Sequence, residues 1–534
     1  MRATRWKSWG TLEAKLSCKY RILKAMSFHV DVIEKGYFPV EIPPAFSAST
    51  FAGALRHLLG GLNSFSTKSS RCAFHSIPRL QHHRRLLGIP NPLHQLKLVL
   101  LLEKHWSDLE SHMKKSRLSM TRMQYVPGSN RALMKVDDFN TFDQERVIRS
   151  SSSRFLLKAD LSRFYHTLYT HSISWALHTK AIAKSKQFDK SLYGNQIDEA
   201  VRNTQDKQTL GIPVGPVTSD LISELLGTAL DVELSSGRSG LKGLRYVDDY
   251  YLYFSTRSEA EAALADLHSV ANHFAVEINP LKTRISELPE PIQPRWKSEL
   301  RSQVIRKESE IDDLLAFFSL AFESASKYPG NNVLKYAVKH SAGFTITKDH
   351  WPLYESLLIG SLVAEPNLAP TLTPILAEYW NKEYTFDLDK LREALAEIAS
   401  YHARFKQGFE VAWALWIGKL FGVDLPATVW PVIAAVDDSV VALLSLDLKA
   451  NGLADALDPV LWREHMQASH LYSENWLLAY EALIKGWLPS KDNTDYVKAD
   501  DFFGKLSQYD VQFYDTDNRD SAVDSDWLTA YLAD

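Results

Sequence analysis

Before residue 288, short runs of β-branched and aromatic residues alternate with stretches of helical periodicity. The segment LPEPIQPRWK at 288–297 then places Pro289, Pro291 and Pro294 close together, which stops regular structure. Beyond it the pattern is almost wholly helical. Apolar positions at three- and four-residue spacing predict helices over 311–324, 351–363, 391–422 and 471–484. The expected fold class is therefore α+β, with a mixed domain at 1–295 and an all-α, helical-repeat-like domain at 296–534.

Within the mixed part, 154–160 is an apolar run ending in Asp160, and 217–234 carries Leu221, Leu225 and Ala229 on one helical face. Residues 243–254, GLRYVDDYYLYF, predict a hairpin with two acids at its tip. Ser258-Glu259-Ala260-Glu261 reads as a capping box opening a helix striped by Leu264, Leu267, Ala271 and Phe274. A strand is expected at 275–278. The order strand, helix, helix, hairpin, helix, strand fits a ferredoxin-like unit.

Composition adds little: 534 residues, 45% hydrophobic and 23% charged, imply an ordinary globular protein with more than one core. No apolar run suits a bilayer, and MRATRWKSWG does not read as a signal peptide. Cys18 and Cys72 lack CxxC spacing, which excludes a cysteine-rich zinc site or disulfide framework and fits a reducing cytoplasm. Charge is more telling. Residues 1–300 hold 41 of the 61 basic but only 29 of the 64 acidic side chains, a balance of +12 against −15 for the rest. Residues 51–100 have seven Lys/Arg and no acid. A polyanion would be drawn to the first half.

Three carboxylates carry the candidate chemistry. Asp248 and Asp249 are adjacent within an apolar run, a costly arrangement that a divalent cation neutralises. Asp160, at the end of another strand, completes the set that two-metal phosphoryl transfer needs. Between them, Gln208-Thr209-Leu210-Gly211-Ile212-Pro213-Val214-Gly215-Pro216 allows close backbone approach for a base pair or template strand. His166, His171 and His178 do not share one helix face and read as structural hydrogen-bonding groups. Asp510, Asp515, Asp517, Asp520, Asp524 and Asp526 read as a solvated acidic run. Nine of fourteen tryptophans follow residue 300 and are expected to fill cores.

These blocks, in this order, resemble the reverse transcriptases over about residues 35–290. Asp160 matches the first catalytic acid, 208–219 the second block, Tyr246–Asp249 the third, and Asn279–Thr283 the fourth with Lys282. The resemblance implies right-hand fingers and palm, and magnesium ions (manganese as substitute) on Asp160, Asp248 and Asp249. It implies Tyr165 as a gate against the ribose 2′-hydroxyl, and Gln208 and Gly211 near the nucleotide. It implies a triphosphate grip at Arg84 or Arg85, with the choice open. Lys282 would give a proton to the leaving group.

The texts IPPAFS at 42–47, GIPNPLHQL at 88–96 and RFYHTLYTHSISWALH at 163–178 are similar to bacterial Abi-type, AbiK-like and "unknown group" defence reverse transcriptases. That narrower resemblance implies an α-helical domain in place of a conventional thumb and a role in antiphage defence. It implies templated or untemplated DNA synthesis from dNTPs, with priming from a protein tyrosine among the options. A non-coding RNA partner and a homo-oligomer, trimer or hexamer, belong to the same picture. The competing expectation is an RNA-binding effector whose polymerase fold is vestigial.

Overall fold

The computed structural model describes residues 27–65, 69–79, 83–129, 131–136 and 139–517. Cys18 and the tail acids Asp520, Asp524 and Asp526 lie outside the described residues.

Strands β1 (Ala73–Pro78) and β2 (Arg84–Ile89) form an antiparallel hairpin, and β3 (Met123–Tyr125) pairs with β4 (Leu133–Lys135). A four-stranded antiparallel sheet combines β5 (Phe155–Asp160), β6 (Lys242–Tyr246), β7 (Asp249–Phe254) and β8 (Arg284–Glu287) in the order β6-β7-β5-β8. Helices including Val217–Ser236 separate β5 from β6, and Arg257–His273 separates β7 from β8. Alternation along the strands gives the sheet two buried faces. Leu157, Ala159, Tyr250 and Leu252 join the main core. Leu156, Leu244, Tyr251 and Tyr253 form a second cluster with Phe142 of the helix Phe139–Ser150.

Four sequence expectations need correction. Residues 275–278 are not a strand: Ala275 turns the chain at φ +58°, and the pairing shrinks to a single bridge just past β5, Leu161 to Ile278. The fourth strand comes later, as β8. The capping box belongs to Thr256, whose side chain accepts from the Glu259 N–H while Glu259 reaches back to the Thr256 N–H. The long helix foreseen at 391–422 is two, Leu388–Arg404 and Gly408–Phe421, broken where Lys406 takes φ +54°. The helix foreseen at 471–484 begins only at Trp476, after a 3-10 turn, and ends at Ile484.

The second half is a helical stack. Glu310–Lys327, Val333–Ser341, Trp351–Ala364, Ala369–Asn381, Leu388–Arg404, Gly408–Phe421, Ser439–Ala450 and Trp476–Ile484 each pack on a neighbour one or two helices on. Trp351, Trp413, Trp416, Trp430, Trp462 and Trp476 are fully buried within it. The stack curls back onto the first half. Trp476 Nε1 donates to the Ile89 carbonyl at 3.0 Å, and Trp413 Nε1 to the Glu41 carbonyl at 2.8 Å. Asn91 Nδ2 donates to the Leu471 carbonyl, and Phe513 packs against Tyr37 and Phe51. One hydrophobic core therefore runs from Phe28 to Tyr514. No helix among the described residues is long and apolar enough to cross a membrane.

Candidate active site

The β5–β7 register sets Asp160 directly opposite Asp249, and the Leu161 N–H donates to the Asp248 carbonyl at 3.0 Å. Asp248 sits in the two-residue turn between β6 and β7, after Val247 at φ +54°. The three carboxylates accordingly converge, each offering an oxygen within 4.8 Å of the others. Among the described residues no other group of three His, Cys, Asp or Glu gathers this way.

Electrostatics confirm how crowded the site is. Burial, with the charges of Asp249 and Asp160, pushes the Asp248 carboxyl up to about 6. Burial also raises Asp249, against the nearby Lys158 ammonium. The balancing cation is Lys282, whose Nζ lies 2.7 Å from Asp160 Oδ2. Burial works against that ammonium, but the hydrogen bond and charge of Asp160 outweigh it and hold its pKa above the usual value. Asn279 Nδ2 donates to Asp160 Oδ1 at 3.1 Å, and the Asn279 N–H to the Asp160 carbonyl. The irregular chain at 275–283, whose first four residues were expected to form a strand, is what lays Asn279 and Lys282 across the end of β5.

Behind the turn lies a buried ion network that sequence reasoning missed. Arg245, fully buried on β6, donates to Asp231 and Glu224 of the helix Val217–Ser236 at 2.9–3.1 Å. Its Nη1 also donates to the Val247 carbonyl at 2.8 Å, which braces the residue before Asp248. Tyr250 Oη and Ser116 Oγ donate to Asp231, and Ser119 and Thr121 hydroxyls donate to Glu224. Gly227 is required here, because a Cβ would stand 2.6 Å from the guanidinium. The available signal was Asp220, Glu224 and Asp231 on one face of a helix rich in apolar residues.

The other expected residues divide. Tyr165 Oη donates to Asp220 Oδ1 at 2.8 Å and accepts from Ser223 Oγ at 3.1 Å. Arg85 is half-buried, and burial with the charge of Arg79 lowers its pKa against the pull of Glu41, Asp248 and Tyr165. Its Nε is buried without a hydrogen-bond partner among the described residues. Arg84 instead forks onto Glu410 of the helical stack. Gln208 is exposed and lines, with Gly211, His166, Phe74 and Leu86, a cleft of about 490 Å³. Gly211 takes φ +82°, and a Cβ there would meet the His166 carbonyl oxygen at 2.9 Å. His171 pairs with Asp198, and His178 Nε2 accepts from the Gly194 N–H, so both are structural.

An all-oxygen, three-carboxylate donor set with a residual excess of negative charge suits a hard divalent cation such as Mg²⁺. Residues 96–312 match the family described as reverse transcriptase (RNA-dependent DNA polymerase), a stretch that contains all three aspartates, Asn279 and Lys282. No curated protein matches the chain. Among solved structures, the telomerase from Candida albicans with a TWJ fragment of telomeric RNA is similar at 11% identity and a TM-score of 0.30. It covers 73% of this chain and 68% of that one. The apo telomerase from Candida tropicalis gives 11% and 0.30, over 72% of this chain and 76% of that one. Residues 96–312 of this chain form a reverse-transcriptase domain, and the protein is an enzyme of the nucleotidyltransferase class.

Proposed function

We propose that the chain is a DNA polymerase, RNA-directed or untemplated, that joins dNTPs at the Asp160–Asp248–Asp249 site. The convergence of those carboxylates within 4.8 Å is the observation that carries the reading. The four-stranded sheet serves as palm, the β1–β2 hairpin as fingers, and the helical stack from about residue 296 stands where a thumb would. Antiphage defence is the setting, supported by the resemblance of residues 42–47, 88–96 and 163–178 to Abi-type enzymes.

Asp160, Asp248 and Asp249 would hold Mg²⁺, which supplies charge neutralisation at the phosphates and acidifies the attacking hydroxyl. The protein's own groups do the rest. Arg85, charged, partly desolvated and with a free Nε, grips the triphosphate. Lys282 keeps its proton at Nζ beside the site and delivers it to the leaving group. Tyr165, fixed by Asp220 and Ser223, closes the space a 2′-hydroxyl would need. Arg245 holds the Val247–Asp248 turn so that the carboxylates stay convergent without rearranging during reaction.

The test is incubation of purified protein with Mg²⁺ and each labelled dNTP, first alone and then with an RNA-templated primer. The Asp248→Ala/Asp249→Ala variant runs alongside. Incorporation that the variant lacks supports the reading, and the first condition to yield product separates untemplated from templated synthesis. Equal incorporation by the variant refutes the site. RNA binding with no incorporation under either condition returns the protein to an effector with a vestigial polymerase fold.

A further inference from the structure

Arg84 and Arg85 are chemically identical neighbours on β2, yet successive strand residues point to opposite sides. The structure gives them different work. Arg84 Nη1 and Nη2 donate to Glu410 Oε1 and Oε2 at 2.7 and 2.8 Å, a bidentate pair. Its Nε donates to Ser76 Oγ at 2.7 Å and its Nη2 again to the Ser76 carbonyl at 2.8 Å. Glu410, almost wholly buried, sits in the first turn of the helix Gly408–Phe421, 326 residues away in sequence. A second anchor holds the partner strand. His75 Nδ1 lies 2.8 Å from Asp438 Oδ2, and Asp438 also caps the helix Ser439–Ala450. Gly408 leaves room for that pair, since a Cβ there would stand 2.2 Å from the carboxylate.

With β2 fixed this way, its alternation sends Arg85 to the other side of the strand, where its Nε is buried without a hydrogen-bond partner among the described residues and the charges of Glu41 and Asp248 are near enough to act on it. A one-residue slip would exchange the two arginines and turn the site-facing charge away. We infer that Glu410 of the helical stack is a positioning residue for the nucleotide: by clamping Arg84 it orients Arg85 toward the triphosphate. This rests on Arg85 being the triphosphate grip. It means that the helical stack sets substrate affinity from behind the fingers hairpin, without touching the nucleotide.

Binding of a fluorescent dNTP in Mg²⁺ and steady-state incorporation are to be measured for wild type, Glu410→Gln, Arg85→Ala and the double variant. Glu410→Gln should raise Kd and KM about five- to ten-fold while kcat stays within about two-fold, the mark of lost ground-state binding. In the Arg85→Ala background it should add almost nothing, because both changes disable one contact. An unchanged Kd in a folded Glu410→Gln protein, or full additivity with Arg85→Ala, overturns the proposal and leaves the polymerase reading intact. A wild-type protein that binds no dNTP overturns both. If Glu410→Gln melts early, the pair Arg84→Glu and Arg84→Glu/Glu410→Arg decides. Affinity lost in the first and recovered in the second supports the clamp, and no recovery refutes it.

Discussion

Asp248 shows what burial beside two other carboxylates does to the folded chain. Its carboxyl titrates near 6 in the fold against about 4 in an unfolded chain, so the native state binds the proton more tightly. The resulting strain is absent below about pH 4, grows as pH rises to 6, and is complete above it, at roughly 2–3 kcal/mol. In chelator, Asp248→Asn should therefore melt above wild type at pH 8 and level with it near pH 4. Added Mg²⁺ should stabilise only wild type. A wild-type advantage at pH 8 in chelator would contradict the crowding. At Tyr165 the ring and the hydroxyl are separable, because Oη is engaged with Asp220 and Ser223. Tyr165→Phe should keep dNTP selectivity, whereas Tyr165→Ala should accept ribonucleotides, as single-nucleotide incorporation with each would show. The acids were legible from sequence because charge inside an apolar run is conspicuous. The different surroundings of Arg84 and Arg85 were not, since the partner of Arg84, Glu410, lies 326 residues on.

Among elements, the β6–β7 hairpin depends on the helix Val217–Ser236 more than on its own turn. Arg245→Met would leave Asp231 and Glu224 buried without their cation, a loss of about 3–5 kcal/mol. Denaturant unfolding should register that loss, and incorporation should fall with it as the Val247–Asp248 turn loosens. The loop at 208–216 has a similar dependence on one backbone state. Gly211→Ala combines φ +82° with a 2.9 Å approach to the His166 carbonyl, which should cost about 1–3 kcal/mol. A variant as stable as wild type would show that the loop can relax away from His166. Periodicity made three of the four sheet strands, β5, β6 and β7, and several of the longer helices legible, because each buries a face of its own. It failed at 275–278, where Val276 and Ile278 are buried like strand residues but the chain makes only one bridge. It failed again at Lys406, because the apolar spacing runs through a break that only a left-handed residue reveals.

For the whole molecule, the pattern change at residue 288 suggests a boundary at which the chain could be cut, and packing argues against an independent first half. A fragment ending at residue 295 would lose Trp476 from the Ile89 carbonyl, Trp413 from the Glu41 carbonyl and Phe513 from Tyr37 and Phe51. It would also strand His75, fully buried against Asp438, and uncover the β1–β2 hairpin that the helices Gly408–Phe421 and Ser439–Ala450 cover. Each large aromatic removed from such a contact forfeits about 1.5–3 kcal/mol of burial, against a total stability of about 5–15 kcal/mol for a typical fold. The composition shift thus marks a change of architecture, and the core that passes through it predicts that neither half folds alone. The full chain should unfold in one cooperative transition, and the 1–295 fragment should be aggregated or protease-sensitive throughout. A soluble fragment with a sharp melting transition of its own would show that the two halves fold separately and that the helical stack merely docks. The clamp on Arg84 would then be an adjustable contact between two domains, and dNTP affinity would rise in the fragment when the helical half was added back in trans.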